Sequence, residues 1–226
     1  MAQMAMIAGL GMMCLSSSVG AALRRGGGGE DDGGDGAGGG DDAGAATPTD
    51  PRRDESTPAN DFASGSMIHL DRHTVDCDDD GLTGFSLDME GTDKMLYNYK
   101  CRDGIDGTLE AEKDSGSNEW GNNNVIYLDR HTLDCGKKPI AKFKLERPAG
   151  DKIMYKYTCN ATEATGACEE REVVSTVTGT RDKTATLIEA DPQCESDEVL
   201  TKFKHYRANA DTPSESAGYR YTCCKM

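Results

Sequence analysis

Ile153-Met154-Tyr155-Lys156-Tyr157-Thr158-Cys159 is the stretch that decides the fold. Its alternation sets Ile153, Tyr155, Tyr157 and Cys159 on one face and Met154, Lys156 and Thr158 on the other, the period-2 pattern of a half-buried strand. The same Tyr-x-Tyr-x-Cys occurs at Tyr97, Tyr99 and Cys101 and again at Tyr219, Tyr221 and Cys223. A strand signal met three times at comparable spacing marks a repeat architecture.

Upstream of each closing cysteine stands an opening one: Cys77 and Cys135 lie 24 residues before theirs, and Cys194 lies 29 before Cys223. A leucine precedes each opening cysteine by seven positions, at Leu70, Leu128 and Leu187. Downstream, Phe85, Phe143 and Phe203 follow the opening cysteines, with Leu82, Ile140 and Leu200 three positions ahead of them. The extra length of the third unit falls in the polar stretch 207–218, which contains Pro213 and reads as a longer loop.

Each unit carries short strand signals, at 68–70, 85–87 and 95–101 in the first and at 125–128, 143–145 and 153–159 in the second. Segments 107–113 and 171–181 are candidates for a fourth strand. No stretch after residue 66 holds apolar residues at helical spacing, so little helix is expected there. The expected fold is all-β: a three-repeat, pseudo-threefold domain, β-prism or trefoil-like, with units at about 67–124, 125–184 and 185–226. Such closure removes exposed sheet edges. A linear array of three small two-layer modules is the alternative.

The 226 residues carry 40 acidic and 25 basic side chains, a net charge of -15. That balance disfavours binding to nucleic-acid phosphates, and no nucleic-acid partner is expected. Residues 26–66 are dominated by Gly, Asp, Ala, Thr and Pro and read as a disordered acidic linker. Residues 67–226 then form the folded domain. They hold eight of the nine cysteines, an even number in an aromatic-poor chain, which points to a disulfide framework. The repeat favours pairing inside units, Cys77 with Cys101, Cys135 with Cys159 and Cys194 with Cys223, leaving Cys168 for Cys224; spacing alone leaves other connectivities open. Zinc is disfavoured, because there is no CxxC pair and Cys223 adjoins Cys224.

Residues 1–23 contain no charged side chain and are long enough to span a bilayer as an N-terminal helix. The segment 1–25 reads as a signal peptide or a membrane anchor. Arg24 and Arg25 follow the apolar run instead of preceding it, which favours the anchor and would keep the repeats on the cytoplasmic, reducing side. That placement conflicts with a disulfide framework.

A resemblance bears on the conflict. The apolar GLGMMCLSSSVGAA, the low-complexity linker and units of the form C…LxxFxL…YxYxC ending in YRYTCC resemble virion or membrane-associated structural proteins of large DNA viruses of algae and protists. Such viruses encode thiol oxidases, which implies disulfides formed on the cytoplasmic side. GFSLDMEGTDK is similar to the vitelline membrane outer layer family, whose fold is a threefold β-prism with disulfides. Neither resemblance implies a catalytic residue.

Four local patterns remain as candidate sites. Leu-Asp-Arg-His-Thr-x-Asp-Cys places His73 and His131, flanked by carboxylates, at equivalent positions in units one and two; unit three has Ala190 there, so the fold does not require the imidazole. They are read as ligand-binding candidates against a local turn and ion-pair network. Asp76, Asp78 and Asp80, followed by Gly81, match the opening of a calcium loop, but Leu87 stands where the bidentate glutamate belongs, which excludes an EF-hand and leaves a looser calcium site. Trp120, in a Gly/Asn-rich loop, is the best exposed aromatic for ligand contact. Asn160-Ala161-Thr162 is a glycosylation sequon.

No GxSxG, HExxH, P-loop or dinucleotide fingerprint occurs. The expected function is a non-enzymatic structural or interaction module, held on a virion or cell surface by a membrane anchor and meeting protein partners or glycans, with no cofactor unless calcium binds. The alternative is a secreted or cell-surface lectin-like carbohydrate-binding protein.

Overall fold

The computed structural model describes residues 50–175, 184–208 and 216–226. The described residues all lie within the unit Ala46–Met226. The apolar segment 1–23, its expected helix, and the linker before residue 50 lie outside them.

The protein is mostly β. Its strands are β1 (Arg52–Ser56), β2 (Asn60–Asp61), β3 (Thr74–Asp76), β4 (Gly81–Glu90), β5 (Lys94–Arg102), β6 (Lys113–Asp114), β7 (Asn118–Glu119), β8 (Thr132–Asp134), β9 (Ile140–Glu146), β10 (Lys152–Cys159), β11 (Cys168–Val174), β12 (Glu198–Ala208) and β13 (Ser216–Lys225). They form three antiparallel sheets, each built on a long hairpin: β4 with β5, β9 with β10, and β12 with β13. An outer strand pairs with the Tyr-x-Tyr-x-Cys strand of each hairpin, namely β1 on β5, β6 and β7 on β10, and β11 on β13.

The other side of each hairpin is completed by the previous unit. Strand β3 pairs with β9, and β8 pairs with β12. Residues of the third unit reach back to the first hairpin through the bridges Gln193 to Gly84 and Ile188 to Leu87. The units therefore exchange strands, which separate linear modules would not do.

Each hairpin carries one β-bulge at the same place, at Thr83, Ala141 and Thr201, where the register shifts. The bulge turns a carbonyl out of its own ladder, and that carbonyl accepts the N–H of the opening cysteine crossing from the previous unit. The three bonds are Cys194 to Thr83 at 2.8 Å, Cys77 to Ala141 at 2.8 Å and Cys135 to Thr201 at 3.0 Å. The disulfides are Cys77–Cys101, Cys135–Cys159, Cys194–Cys223 and Cys168–Cys224. In the first three, one cysteine crosses to a neighbouring sheet and the other lies on its own unit's hairpin, so each bond joins two sheets. Cys168–Cys224 instead links two directly opposed residues of β11 and β13.

The core is the repeat turned inward. Phe85, Phe143 and Phe203 meet with ring centroids 4.9 to 5.1 Å apart. Around them stand Tyr97, Tyr155 and Tyr219, each edge-on to its own phenylalanine and to that of the following unit. The second tyrosine of each pair, Tyr99, Tyr157 or Tyr221, donates its hydroxyl to the carbonyl just before an opening cysteine: Asp76, Asp134 or Gln193.

Two expectations need correction. Residues 68–70 and 125–128 are not strands but 3-10 turns, Met67–Arg72 and Val125–Arg130. Three residues per turn puts Met67 over Leu70 and Val125 over Leu128, and all four are buried. Residues 52–61, which composition assigned to the linker, form β1 and β2. Backbone pairing with β5 holds this polar segment where its side chains alone offer little apolar area to bury. The fourth strands run at 113–114, with a bridge from Leu109 to Asn160, and at 168–174; the rest of 171–181 beyond Ser175 lies outside the described residues.

Candidate functional site

The inward faces of the sheets are filled by the aromatic and aliphatic core, so any site must use outward faces or loops. Each sheet has an outward groove over its hairpin. On the first it is about 500 Å³, lined by residues that include Asp54, Ser86, Asn98, Tyr99, Lys100 and Asp191. On the second, of about 260 Å³, the walls are Thr74, Glu112, Lys142, Lys144, Lys156 and Thr158, with Tyr157 and Glu146. The third, about 250 Å³, has Thr132, Glu170, Lys202, Lys204, Arg220 and Thr222, with Tyr221.

Register makes the second and third grooves equivalent residue by residue. Across the sheet one row reads Asp76, Lys142, Thr158 in the second and Asp134, Lys202, Thr222 in the third. The first sheet has Gln193, Gly84 and Lys100 there. In the two matching sheets the row is closed by an ion pair between units, Lys142 to Asp76 at 2.6 Å and Lys202 to Asp134 at 2.8 Å. In the first, a Cβ on Gly84 would lie 2.5 Å from Oε1 of Gln193: the smallest residue stands beneath the longer amide.

Three of the four histidines, His73, His131 and His205, are core residues. His73 and His131 are buried, and Nδ1 of each lies 2.8 Å from a hydroxyl, Thr57 for His73 and Ser115 for His131. Those same hydroxyl oxygens accept the N–H of Tyr97 and Tyr155. Unit three pairs Val173 with Tyr219 and has Ala190 in place of histidine, so hydroxyl and imidazole disappear together. Burial holds both imidazoles below their ordinary pKa, with the adjoining Arg72 and Arg130 guanidiniums adding to it. His205, from β12, packs against Tyr219 and lies 2.9 Å through Nε2 from the Tyr155 hydroxyl; burial, with a smaller push from His131, lowers it to about 3. These histidines are kept neutral and enclosed, the opposite of what acid–base exchange with a ligand in solvent requires.

Asp76, Asp78 and Asp80 face cations of the protein itself. Asp76 takes Lys142 and accepts the N–H of Asp78, while Asp80 is paired with Arg53 at 2.5 Å and Asp78 faces the same guanidinium at 3.7 Å. The Asp76 role is a turn cap that Asp134 repeats on Gly136. Among the described residues, the one group of three metal-ligating side chains within 4.8 Å is Cys194, Glu198 and Cys223, and its two sulfurs are already bonded to each other.

Trp120 is half-buried against the core, its backbone N–H donating to the Asp151 carbonyl at 2.7 Å and its ring 5.5 Å from the Arg147 guanidinium. Phe62 is its counterpart: it packs on the same core and its N–H bonds to Asp93 at 2.6 Å. Trp120 thus pins a loop. Asn160 is fully buried, donating through Nδ2 to the Asp79 carbonyl and accepting from the Thr162 N–H at 2.7 Å. Its amide nitrogen is therefore enclosed in the fold.

Compared with family models, curated proteins and solved structures, the chain gives no match. The site must be read from its own chemistry. Sequence reasoning missed the grooves: Lys-Phe-Lys recurs at 142–144 and at 202–204, but the register that sets each against a Tyr-x-Tyr strand and a strand of the previous unit is not written in it. Among the described residues, no helix is long and apolar enough to cross a membrane.

Proposed function

We propose that this protein is a non-enzymatic interaction module: a three-repeat, pseudo-threefold β-prism locked by disulfides and displayed on a virion or cell surface through its N-terminal segment. The observation that carries the reading is the cycle of crossings. Each hairpin is completed by the preceding unit, and each crossing is tied by its own disulfide, Cys77–Cys101, Cys135–Cys159 or Cys194–Cys223. A framework of this kind favours an oxidising setting and rigid presentation of surface over motion around a reaction centre. The reactive side chains support the same reading, since the eight described cysteines are paired and His73, His131 and His205 are buried.

Carbohydrate binding is the form of interaction that the sheet faces favour. Their grooves combine threonine, serine, asparagine and tyrosine with charged side chains on a rigid surface.

The test is fractionation of the full-length protein with particles or cell envelope, together with a thiol titration after denaturation without reductant. Surface association with no reactive thiol besides Cys14 is expected. Eight further reactive thiols, or recovery in the reducing cytosol, would overturn the proposal.

A further inference from the structure

The second and third sheets repeat a row of cations. Lys144 of β9 lies directly opposite Lys156 of β10, and Lys204 of β12 lies directly opposite Arg220 of β13. Directly opposed like charges on one sheet face repel, and Asp114 opposite Lys156 and Glu172 opposite Arg220 offset that repulsion on the outer strand. The first sheet avoids this, with Ser86 opposite Asn98. The cationic pair is thus dispensable for the fold and is nonetheless present on two faces.

The carboxylates around these pairs are taken up by the outer cations. Lys156 is held by Glu112 at 3.1 Å, Lys142 by Asp76, Lys202 by Asp134, and Arg220 by Glu172 at 3.0 Å, with Glu170 at 3.9 Å. The central lysines are less well served. Lys144 has only Glu146, at 3.9 Å, and Lys204 has no ion pair among the described residues. Each central lysine is flanked across the sheet by a threonine of the previous unit, Thr74 or Thr132.

We propose that these two faces are equivalent anion-binding grooves that take the acid groups of an acidic polysaccharide, sulfate ester or uronate. This rests on the reading of the protein as a surface interaction module. An anion between Lys144 and Lys156, or between Lys204 and Arg220, replaces repulsion with two charge-assisted hydrogen bonds, and the threonine hydroxyls lie beside it for sugar hydroxyls. Two grooves of the same chemistry fit a ligand that itself repeats. At about 260 and 250 Å³ each groove is smaller than the roughly 300 Å³ at which small-molecule pockets begin, so one site binds weakly and a polymer reaching both gains by avidity.

The experiment measures binding of the full-length protein to dextran sulfate, polygalacturonate and neutral dextran by calorimetry at low and high salt. Two double variants transplant the first sheet's pair: Lys144→Ser with Lys156→Asn, and Lys204→Ser with Arg220→Asn. Salt-sensitive binding to at least one acidic polymer and none to neutral dextran is expected. Either double variant should cost about a hundredfold in affinity, the loss of avidity, and all four substitutions together should abolish binding. The urea midpoint should change little, because the repulsion removed is set against the ion pairs that Lys156 and Arg220 make with Glu112 and Glu172. Two results would overturn the proposal: wild-type affinity in the fourfold variant, or equal binding of neutral dextran. Each leaves thiol count and surface association untouched, so this failure is distinct from failure of the proposed function.

Discussion

Gly84 and Gln193 occupy the place that lysine and aspartate hold at the other two unit junctions, and the swap can be reversed. Gly84→Lys alone puts a Cβ 2.5 Å from Oε1 of Gln193. The obstacle is the far end of a flexible side chain, so the cost lies at the low end of the roughly 1–3 kcal/mol of overpacking, partly offset by the ~0.5–1 kcal/mol gained on removing a strand glycine. Gln193→Asp alone leaves a carboxylate facing a glycine and forfeits amide packing, a loss of about 1 kcal/mol. Together they recreate the Lys142–Asp76 arrangement, which relieves the collision and adds a part-exposed ion pair of about 0.2–1 kcal/mol. Lys100, directly opposite Gly84, repels the new lysine in either background and so cancels from the comparison. The coupling in a double-mutant cycle should therefore be about 1–2 kcal/mol in favour of the pair. Urea unfolding at pH 7 with disulfides intact measures it. Additivity within about 0.5 kcal/mol would refute the claim that the three junctions are interchangeable.

Three further outcomes follow from the same structure. His205 is neutral when folded, with a pKa of about 3 against about 6.5 unfolded. Below pH 6.5 the unfolded chain gains a proton that the folded chain does not, so stability falls as pH drops, at up to ~1.4 kcal/mol per pH unit from this residue. His205→Leu, which copies Leu87 and Leu145 of the other hairpins, should flatten that slope between pH 6.5 and 5; an unchanged slope excludes His205 as its source. Replacing Cys135 and Cys159 together by alanine should cost about 3–4 kcal/mol by loop entropy, read from the urea midpoint, and a loss under about 1 kcal/mol would mean the crossing holds without its bond. Phe143→Ala opens the centre of the aromatic cluster and should cost about 3–5 kcal/mol, whereas Trp120→Ala at the half-buried loop should cost clearly less.

The repeat was legible because it is written in large, alternating residues. Tyr-x-Tyr-x-Cys located β5, β10 and β13, and the repeat favoured the three disulfides within units, which left Cys168 for Cys224. Strand β1 was hidden because its sequence, Arg-Arg-Asp-Glu-Ser, has no apolar face; backbone pairing alone makes it a strand. A signal for it existed all the same. Phe62 stands eight residues before Leu70, as Trp120 does before Leu128, so the first unit reaches into the segment that composition assigned to the linker. The turns at Met67–Arg72 and Val125–Arg130 were misread because short segments such as Ile68-His69-Leu70 and Val125-Ile126-Tyr127-Leu128 suit a strand and a 3-10 turn equally. The grooves were illegible for a deeper reason. They depend on which residues face one another across strands from two different units, and no single segment states that register.

Completion of the first sheet by residues 188–193 orders events during synthesis. The first hairpin is made early, yet its partner lies about a hundred residues downstream, so it emerges with one long edge unpaired. The second and third sheets need only the unit just before them. Sulfur chemistry follows the same order: Cys77 and Cys101 come together while the rest is still being made, whereas Cys194 and Cys223 meet only near the end of the chain. Oxidation that ran ahead of translation would trap the first unit with its edge exposed, a template for pairing with other copies. For a protein of this build, the timing of disulfide formation counts as much as the pairing itself.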